Sequence, residues 1–420
     1  MSSCCARRTR TCEIATTNPL LVSDFEELMA GGPTPVGPLY ERCRTSPAFW
    51  SDRVGGWVLT RHADVSRVLR DETTFPPLTS GPGTTVVYGR TVLQMTGEEH
   101  RKKVAPLARR LRNPRFMESE IRSIAQETLT AMLSNIPSSV EVDIRAELFS
   151  RYPMTVIARL MGLEEAAGFR ELYAQVVAAA TSNMQDDPAI AARGDAARRA
   201  VYNMLRPAIE GRRITPGNDL LSEVCAMEVS GTKLPDDEVF AYALFLFVGG
   251  VETTERTLCN FLGHVVDHSA DWDRLAVDRS LVLPAIAETL RFTPPVQGLT
   301  RGVSVTVEFD DVVIPAGSKV LAVIGAANRD PVCFHDSESF MLERFKDNAT
   351  REFTAASQSL AFGSGLHYCT GSMLAKLEME LAVNTLLDRF QRISWAGDRP
   401  LDRGYVLRAP AEVRVICIDR

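Results

Sequence analysis

Apolar residues recur at three- and four-residue intervals over 169–181, 237–267, 281–292 and 370–390, which predicts amphipathic or buried helices there. Short β-branched runs predict strands at 57–60, 303–309, 312–314, 319–324 and 413–418, with Pro315-Ala316-Gly317 as a turn. Many helices and a minor set of strands give an α+β fold, predominantly helical, with small sheets. The segment 237–267 is the longest helix. At about 1.5 Å per residue it extends roughly 45 Å, enough to cross a domain. Gly249 and Gly250 stand in its middle, each costing up to about 1 kcal/mol of helix stability. Thr253 and Thr254 follow, and their hydroxyls can bond back to a carbonyl one turn earlier. Breakers at the centre of the longest helix imply either a local opening or close packing of another backbone against the glycines.

The chain has 420 residues, and no Gly-, Ser- or Pro-rich linker or internal repeat divides it. Residues 19–420 are therefore read as one domain. Residues 1–18 are read as a disordered tip, basic and rich in cysteine (Cys4, Cys5, Cys12), with metal binding as the alternative. The tip lacks the apolar stretch of a signal peptide. A membrane-spanning helix needs about 20 apolar residues, and the run 239–251 ends at Glu252. A net charge of −6 argues against nucleic acid as a partner. The nine scattered cysteines show no disulfide framework and fit a reducing cytoplasm.

One cysteine carries chemistry. Cys369 sits in Phe362-Gly363-Ser364-Gly365-Leu366-His367-Tyr368-Cys369-Thr370-Gly371, a glycine-rich loop entering a predicted helix. First-turn N–H groups and the helix dipole favour a thiolate there. Gly363, Gly365 and Gly371 can let a large flat group approach. Zinc is excluded because no second Cys or His stands at chelating spacing, and covalent haem because Cys-x-x-Cys-His is absent. Axial thiolate ligation of non-covalent haem remains, against the alternative of a buried structural cysteine.

At this point the sequence resembles a soluble, bacterial-type cytochrome P450. Phe362, Gly365, Cys369 and Gly371 match the family's haem signature. Gly249-Gly250-Val251-Glu252-Thr253-Thr254 resembles its oxygen-handling motif, and Glu288-Thr289-Leu290-Arg291 its Glu-x-x-Arg pair. Asn328-Arg329-Asp330-Pro331, then Phe340-Met341-Leu342-Glu343-Arg344, resembles the stretch leading to its third ion-pair residue. The four stand in the family's order, and the likeness spans roughly residues 36–417.

The resemblance implies a haem-thiolate monooxygenase with the P450 fold, inserting one oxygen atom of O2 into an apolar small molecule. Haem b would be bound by Cys369. His367, Arg301 and His100 would hold its propionates, with Phe362, Gly363, Gly365, Gly371, Gly249 and Gly250 around it. Many relatives carry an Arg four residues after the matching His. Here Val104 stands there, so a propionate falls to His100 alone or to a neighbouring Lys, and Pro106 is expected to kink the helix. Thr253 and Glu252 would be the catalytic proton relay, or Glu252 would simply pair with Arg256 at i+4. Glu288, Arg291 and Arg344 would form a buried structural triad. Pocket walls are expected from Val86, Val87, Tyr88, Val248, Val251, Val296 and Leu299.

With no flavin or iron–sulfur domain attached, electrons from NAD(P)H would come through a separate ferredoxin-like or flavodoxin-like donor and its reductase. The basic residues Arg101, Lys102, Lys103, Arg109, Arg110, Arg112 and Arg115 are the expected docking patch. Two rival readings remain: a P450-type oxidase performing C–C coupling, desaturation or peroxide-driven oxidation, and a non-catalytic haem ligand binder or sensor. The Glu252–Thr253 relay argues against peroxide-only chemistry and against the sensor.

Overall fold

The structure is a computed structural model that describes residues 19–30, 32, 35–78, 88–113, 116–164, 168–181, 187–229 and 231–420. The cysteine-rich tip and the pocket candidates Val86 and Val87 lie outside the described residues. The helices around the cysteine loop and the long central helix are α1 (His62–Arg70), α2 (Gly97–Leu111), α3 (Tyr152–Leu160), α4 (Phe169–Thr181), α5 (Pro188–Ile214), α6 (Asp236–Asp267), α7 (Val282–Phe292) and α8 (Ser372–Arg389).

Helix α6 is the axis of the fold, and α3, α5, α7 and α8 all pack on it. Asp236, Asp237 and Glu238 in its first turn complement the positive end of its dipole. It remains helical through Gly249-Gly250, and the two glycines have different roles. A Cβ at Gly250 would stand 2.7 Å from Ile157 Cδ1, so this glycine admits α3. A Cβ at Gly249 would meet nothing within 4 Å. Thr253 bonds backwards as expected, its Oγ1 donating to Gly249 O at 2.8 Å, whereas the Thr254 hydroxyl turns to the buried Glu378; Thr257 Oγ1, not foreseen, donates to Thr253 O at 2.7 Å.

The sheets are small. Strands β1 (Phe49–Ser51), β2 (Gly56–Leu59), β4 (Leu299–Gly302) and β5 (Lys319–Ala322) form one sheet in the order β1-β2-β5-β4, parallel only between β2 and β5. Strand β3 (Glu141–Asp143) joins β6 (Phe390–Trp395) and β7 (Arg414–Asp419) in the order β6-β7-β3. The predicted strand at 303–309 is ordered as a strand only over Val307–Phe309. The one at 319–324 ends at Ala322, where Ile324–Ala327 turns into a short helix. Helix α2 continues through Pro106. Helix α5 went unpredicted because alanines and arginines blur its apolar stripe. Its start was nevertheless written in the sequence: the Asp187 side chain accepts from Ala189 N at 2.7 Å, and Pro188 occupies the first turn.

Beneath this scaffold lies a fully buried ion pair. Arg291 donates through Nε and Nη2 to the two oxygens of Glu288, both at 2.7 Å, and both side chains have 0% exposure. Arg344 Nε adds contacts of 3.0 Å to each oxygen. The remaining Arg291 hydrogens go to backbone carbonyls of Asn328, Ser337 and Ser339 at 2.8–3.0 Å. The Asn328 side chain then accepts from Leu360 N at 2.7 Å and donates to Ser359 Oγ at 3.1 Å. The triad is thereby wired to the first residues of the cysteine loop.

Removing one partner strands a buried charge, at a cost of about 3–5 kcal/mol. Glu288→Ala and Arg291→Ala should each yield little soluble, haem-loaded protein, measured as the haem-to-protein absorbance ratio after expression. Normal loading in either variant would contradict this.

Candidate active site

The cysteine loop starts where Asn328 holds Leu360. Leu360 O accepts from Gly363 N, and Phe362 O accepts from Cys369 N, both at 2.9 Å. Gly363 and Gly365 have φ of +74° and +70°, the left-handed region that favours glycine. A Cβ at Gly365 would lie 2.8 Å from Arg70 Cα and 3.0 Å from Leu69 O. The group that approaches Gly365 is therefore the backbone at the end of α1, not a flat ligand. Cys369 is the candidate ligand. Backbone N–H groups of Gly371 and Ser372 and the charge of Arg112 favour its thiolate, but burial outweighs them and pushes the thiol up. The expected easy ionisation is corrected: the loop positions the sulfur, and a bound metal must displace its proton.

The three predicted propionate partners converge. The imidazoles of His100 and His367 lie 4.4 Å apart, centroid to centroid. Burial lowers the pKa of both, His367 to about 3, with His100 and Arg301 contributing to the His367 shift. Arg301, half-buried on β4, is pushed down to about 10 by burial, and its guanidinium donates to Thr300 O at 3.2 Å. His100 Nδ1 and His367 Nε2 are buried without a hydrogen-bond partner. Buried nitrogens left unpaired are costly, and they suit the carboxylates of a bound haem. Of the neighbouring lysines, Lys103 is turned away to Glu99 at 3.1 Å and to Glu238, and Lys102 is exposed. A fourth group, Glu72, was not foreseen. It lies in a loop after α1, and no motif marks it.

On α6, Gly249 is exposed, with Val248, Gly250 and Thr253 half-buried beside it. Val296 and Leu299 are half-buried as well, and Tyr88 is buried with an unpartnered hydroxyl. Val251 departs from expectation. It is 1% exposed and lines a separate cavity of about 260 Å³ with Arg145, Arg170, Tyr173, Glu252 and Arg256. Residues 251 and 253 point away from each other because successive positions turn by about 100° in a helix.

Glu252 is buried, and Arg256 Nη2 contacts it at 2.8 Å. The i+4 pair read as the structural alternative is therefore formed. Burial raises the Glu252 pKa; Arg256, Arg145 and a hydrogen bond from Tyr173 oppose the rise, and Glu255 adds to it. The Thr253 hydroxyl, by contrast, stands on the Gly249 side. Tyr173 and Arg145 were invisible to motif reading because both come from other elements.

The basic stretch of α2 is split. Arg110 turns inward to Glu223 at 2.5 Å, and Lys102 pairs with Glu98 at 2.8 Å. With Lys103 also withdrawn, Arg101, Arg109 and Arg112 are left exposed alongside Lys102, and Arg115 lies outside the described residues. Among the described residues no helix is long and apolar enough to cross a membrane.

These donors and this helical frame suit a haem held through Cys369. The cytochrome P450 family profile matches residues 277–406. Pulcherriminic acid synthase of Bacillus subtilis is 29% identical over 352 residues, covering 83% of this chain and 86% of that protein. Erythromycin C-12 hydroxylase of Saccharopolyspora erythraea is 30% identical over 361 residues, covering 84% and 86%. The solved structure of cytochrome P450 CYP109Q5 from Chondromyces apiculatus superposes with a TM-score of 0.75 at 27% identity, over 96% of this chain and 98% of that one. The chain belongs to the cytochrome P450 family, has its fold, and is a monooxygenase of small molecules.

The expected signature of Cys369 ligation is a red-shifted Soret band in the reduced carbon-monoxide complex. Cys369→Ala should abolish it, and a variant that keeps the band would refute the assignment.

Proposed function

We propose that this enzyme hydroxylates an apolar substrate held over Gly249 and Thr253, and that Glu252 and Thr253 deliver the protons. The observation that supports this reading best is the buried acid Glu252 next in sequence to Thr253, whose hydroxyl stands by Gly249, an exposed position midway along α6. Cys369 would hold the haem, which would supply the dioxygen chemistry, with the thiolate's electron density favouring O–O cleavage. The chain's own groups do the rest. Arg301, His100 and His367 hold the haem carboxylates. Val248, Val296 and Leu299 offer the substrate apolar walls, with the Tyr88 hydroxyl as a polar point. Burial lets Glu252 keep a proton to a higher pH than an ordinary carboxyl, so it serves as an acid. The cavity bounded by Arg145, Tyr173 and Arg256 is polar and roomy enough for water, which would reload that acid.

We further propose that electrons from NAD(P)H arrive through a separate, acidic ferredoxin-like or flavodoxin-like protein. Its docking site would be the exposed remainder of the basic stretch: Arg101, Lys102, Arg109 and Arg112.

Screening terpenoids, steroids, fatty acids and aromatic metabolites for a spectral shift of the ferric protein identifies candidate substrates. NADPH turnover with surrogate partners under 18O2 then tests for single-oxygen insertion. A protein that binds such ligands but incorporates no label would overturn the hydroxylase reading.

Thr253→Ala should leave haem and substrate binding intact while product per NADPH falls about a hundredfold and hydrogen peroxide rises, the lower end of what general acid–base groups contribute. Unchanged coupling would remove Thr253 from the relay. Rapid reduction by a ferredoxin should slow with rising salt, and Arg101→Glu with Arg109→Glu should slow it about tenfold at low ionic strength. A rate indifferent to both would leave this patch as ordinary surface.

A further inference from the structure

The cradle for the haem carboxylates contains an acid of its own. Glu72 stands two residues beyond α1. Its Oε1 accepts from the N–H of Gly97, the first residue of α2, at 3.2 Å. Its Oε2 is buried without a hydrogen-bond partner and lies 3.7 Å from His367 Nε2, which is likewise buried and unpartnered. That distance is too long for a hydrogen bond, so the two unpartnered atoms face each other unsatisfied. The negative charge of Glu72 is also felt at His100 and Arg301.

Helix capping explains only half of this side chain. The first N–H groups of α2 need acceptors, and Oε1 supplies one. Nothing in that role requires the second oxygen to face His367. The charges in the cradle make the orientation matter. Among the described residues that face Glu72, Arg301 supplies a guanidinium, which stays charged, beside the two imidazoles. Two haem propionates would bring two negative charges to a site that already holds Glu72. Three carboxylates would then share one guanidinium and two imidazoles.

We propose that Glu72 is an internal rival of the haem propionates for His367 and Arg301, and that its charge holds the haem iron's reduction potential low. The inference rests on the haem reading of this site. An electron added to the iron is disfavoured by each nearby negative charge, and more so in a partly dehydrated pocket. Hydrogen bonding and charge around a haem are among the levers that set its potential. The same rivalry weakens the grip of the cradle on the propionates. Glu72 is thus a positioning and tuning residue that touches neither oxygen nor substrate.

Glu72→Gln and Glu72→Asp separate this role from helix capping. The amide keeps size and the acceptor for Gly97 N–H but removes the charge; Asp keeps the charge. The holoprotein of each is first checked for the thiolate-type carbon-monoxide band. The midpoint potential is then measured by dye-mediated titration, and haem loss by transfer to apomyoglobin. The expected result is a positive shift of potential and several-fold slower haem loss in Glu72→Gln, with Glu72→Asp close to the wild type in potential. An unchanged potential in loaded Glu72→Gln would overturn the proposal, as would an equal shift in Glu72→Asp. Faster haem loss from Glu72→Gln would assign the residue to the support of α2 instead. A wild-type protein that never shows the thiolate band would overturn the reading of the whole site, a result distinct from these.

Discussion

The Glu288–Arg291 pair is the constraint on which the active region depends. An ion pair without solvent is weak evidence of stability for its own sake, since apolar replacements are often as good. Its value here is geometric. Arg291 has five donors in a rigid fork, and after Glu288 takes two directions the others fix three carbonyls of the segment 328–339. Asn328 carries that fixation to Leu360. A loop with two left-handed glycines has little stiffness of its own. It inherits a position from helix α7 through this chain of charge-assisted bonds.

Helix α6 resolves a conflict between span and access. A helix crossing the whole domain must be continuous, and its centre must still leave one side open. Gly250 lets α3 pack closely, and Gly249 leaves its own side uncovered, without a break in the backbone. The polar neighbours are divided in the same way. Thr253 stands on the Gly249 side. Glu252 stands on the side of the Arg145–Tyr173 cavity, which permits a buried acid to remain near water.

The long helices and the cysteine loop were legible because their signals are local: a 3.6-residue period, a glycine-framed thiol, a Glu and an Arg one turn apart. The convergence of His100, His367 and Arg301 was legible only through resemblance, because three distant segments supply them. Glu72 and Tyr173 were not legible at all. Each acts through a partner far away in sequence, and nothing in its own neighbourhood announces it. The basic stretch of α2 misled for the related reason that composition counts charges but not their partners. Lys103 and Arg110 are spent on Glu238 and Glu223, which lie more than a hundred residues away. Cys369 misled in another way. Its N–H donors are present, yet burial of the sulfur outweighs them.

The two crowded glycines differ in how an evolving lineage could escape them. A methyl group at position 250 would collide with the tip of Ile157, and a smaller residue at 157 would relieve it, so the two sites can drift as a compensating couple. At position 365 the obstacle is the main chain of Leu69 and Arg70, which no exchange of side chains removes. Only displacement of all of α1 would make room, and α1 is followed within two residues by Glu72. A laboratory library can therefore trade freely across the first contact, while the second forms a closed corner of sequence space around the haem loop.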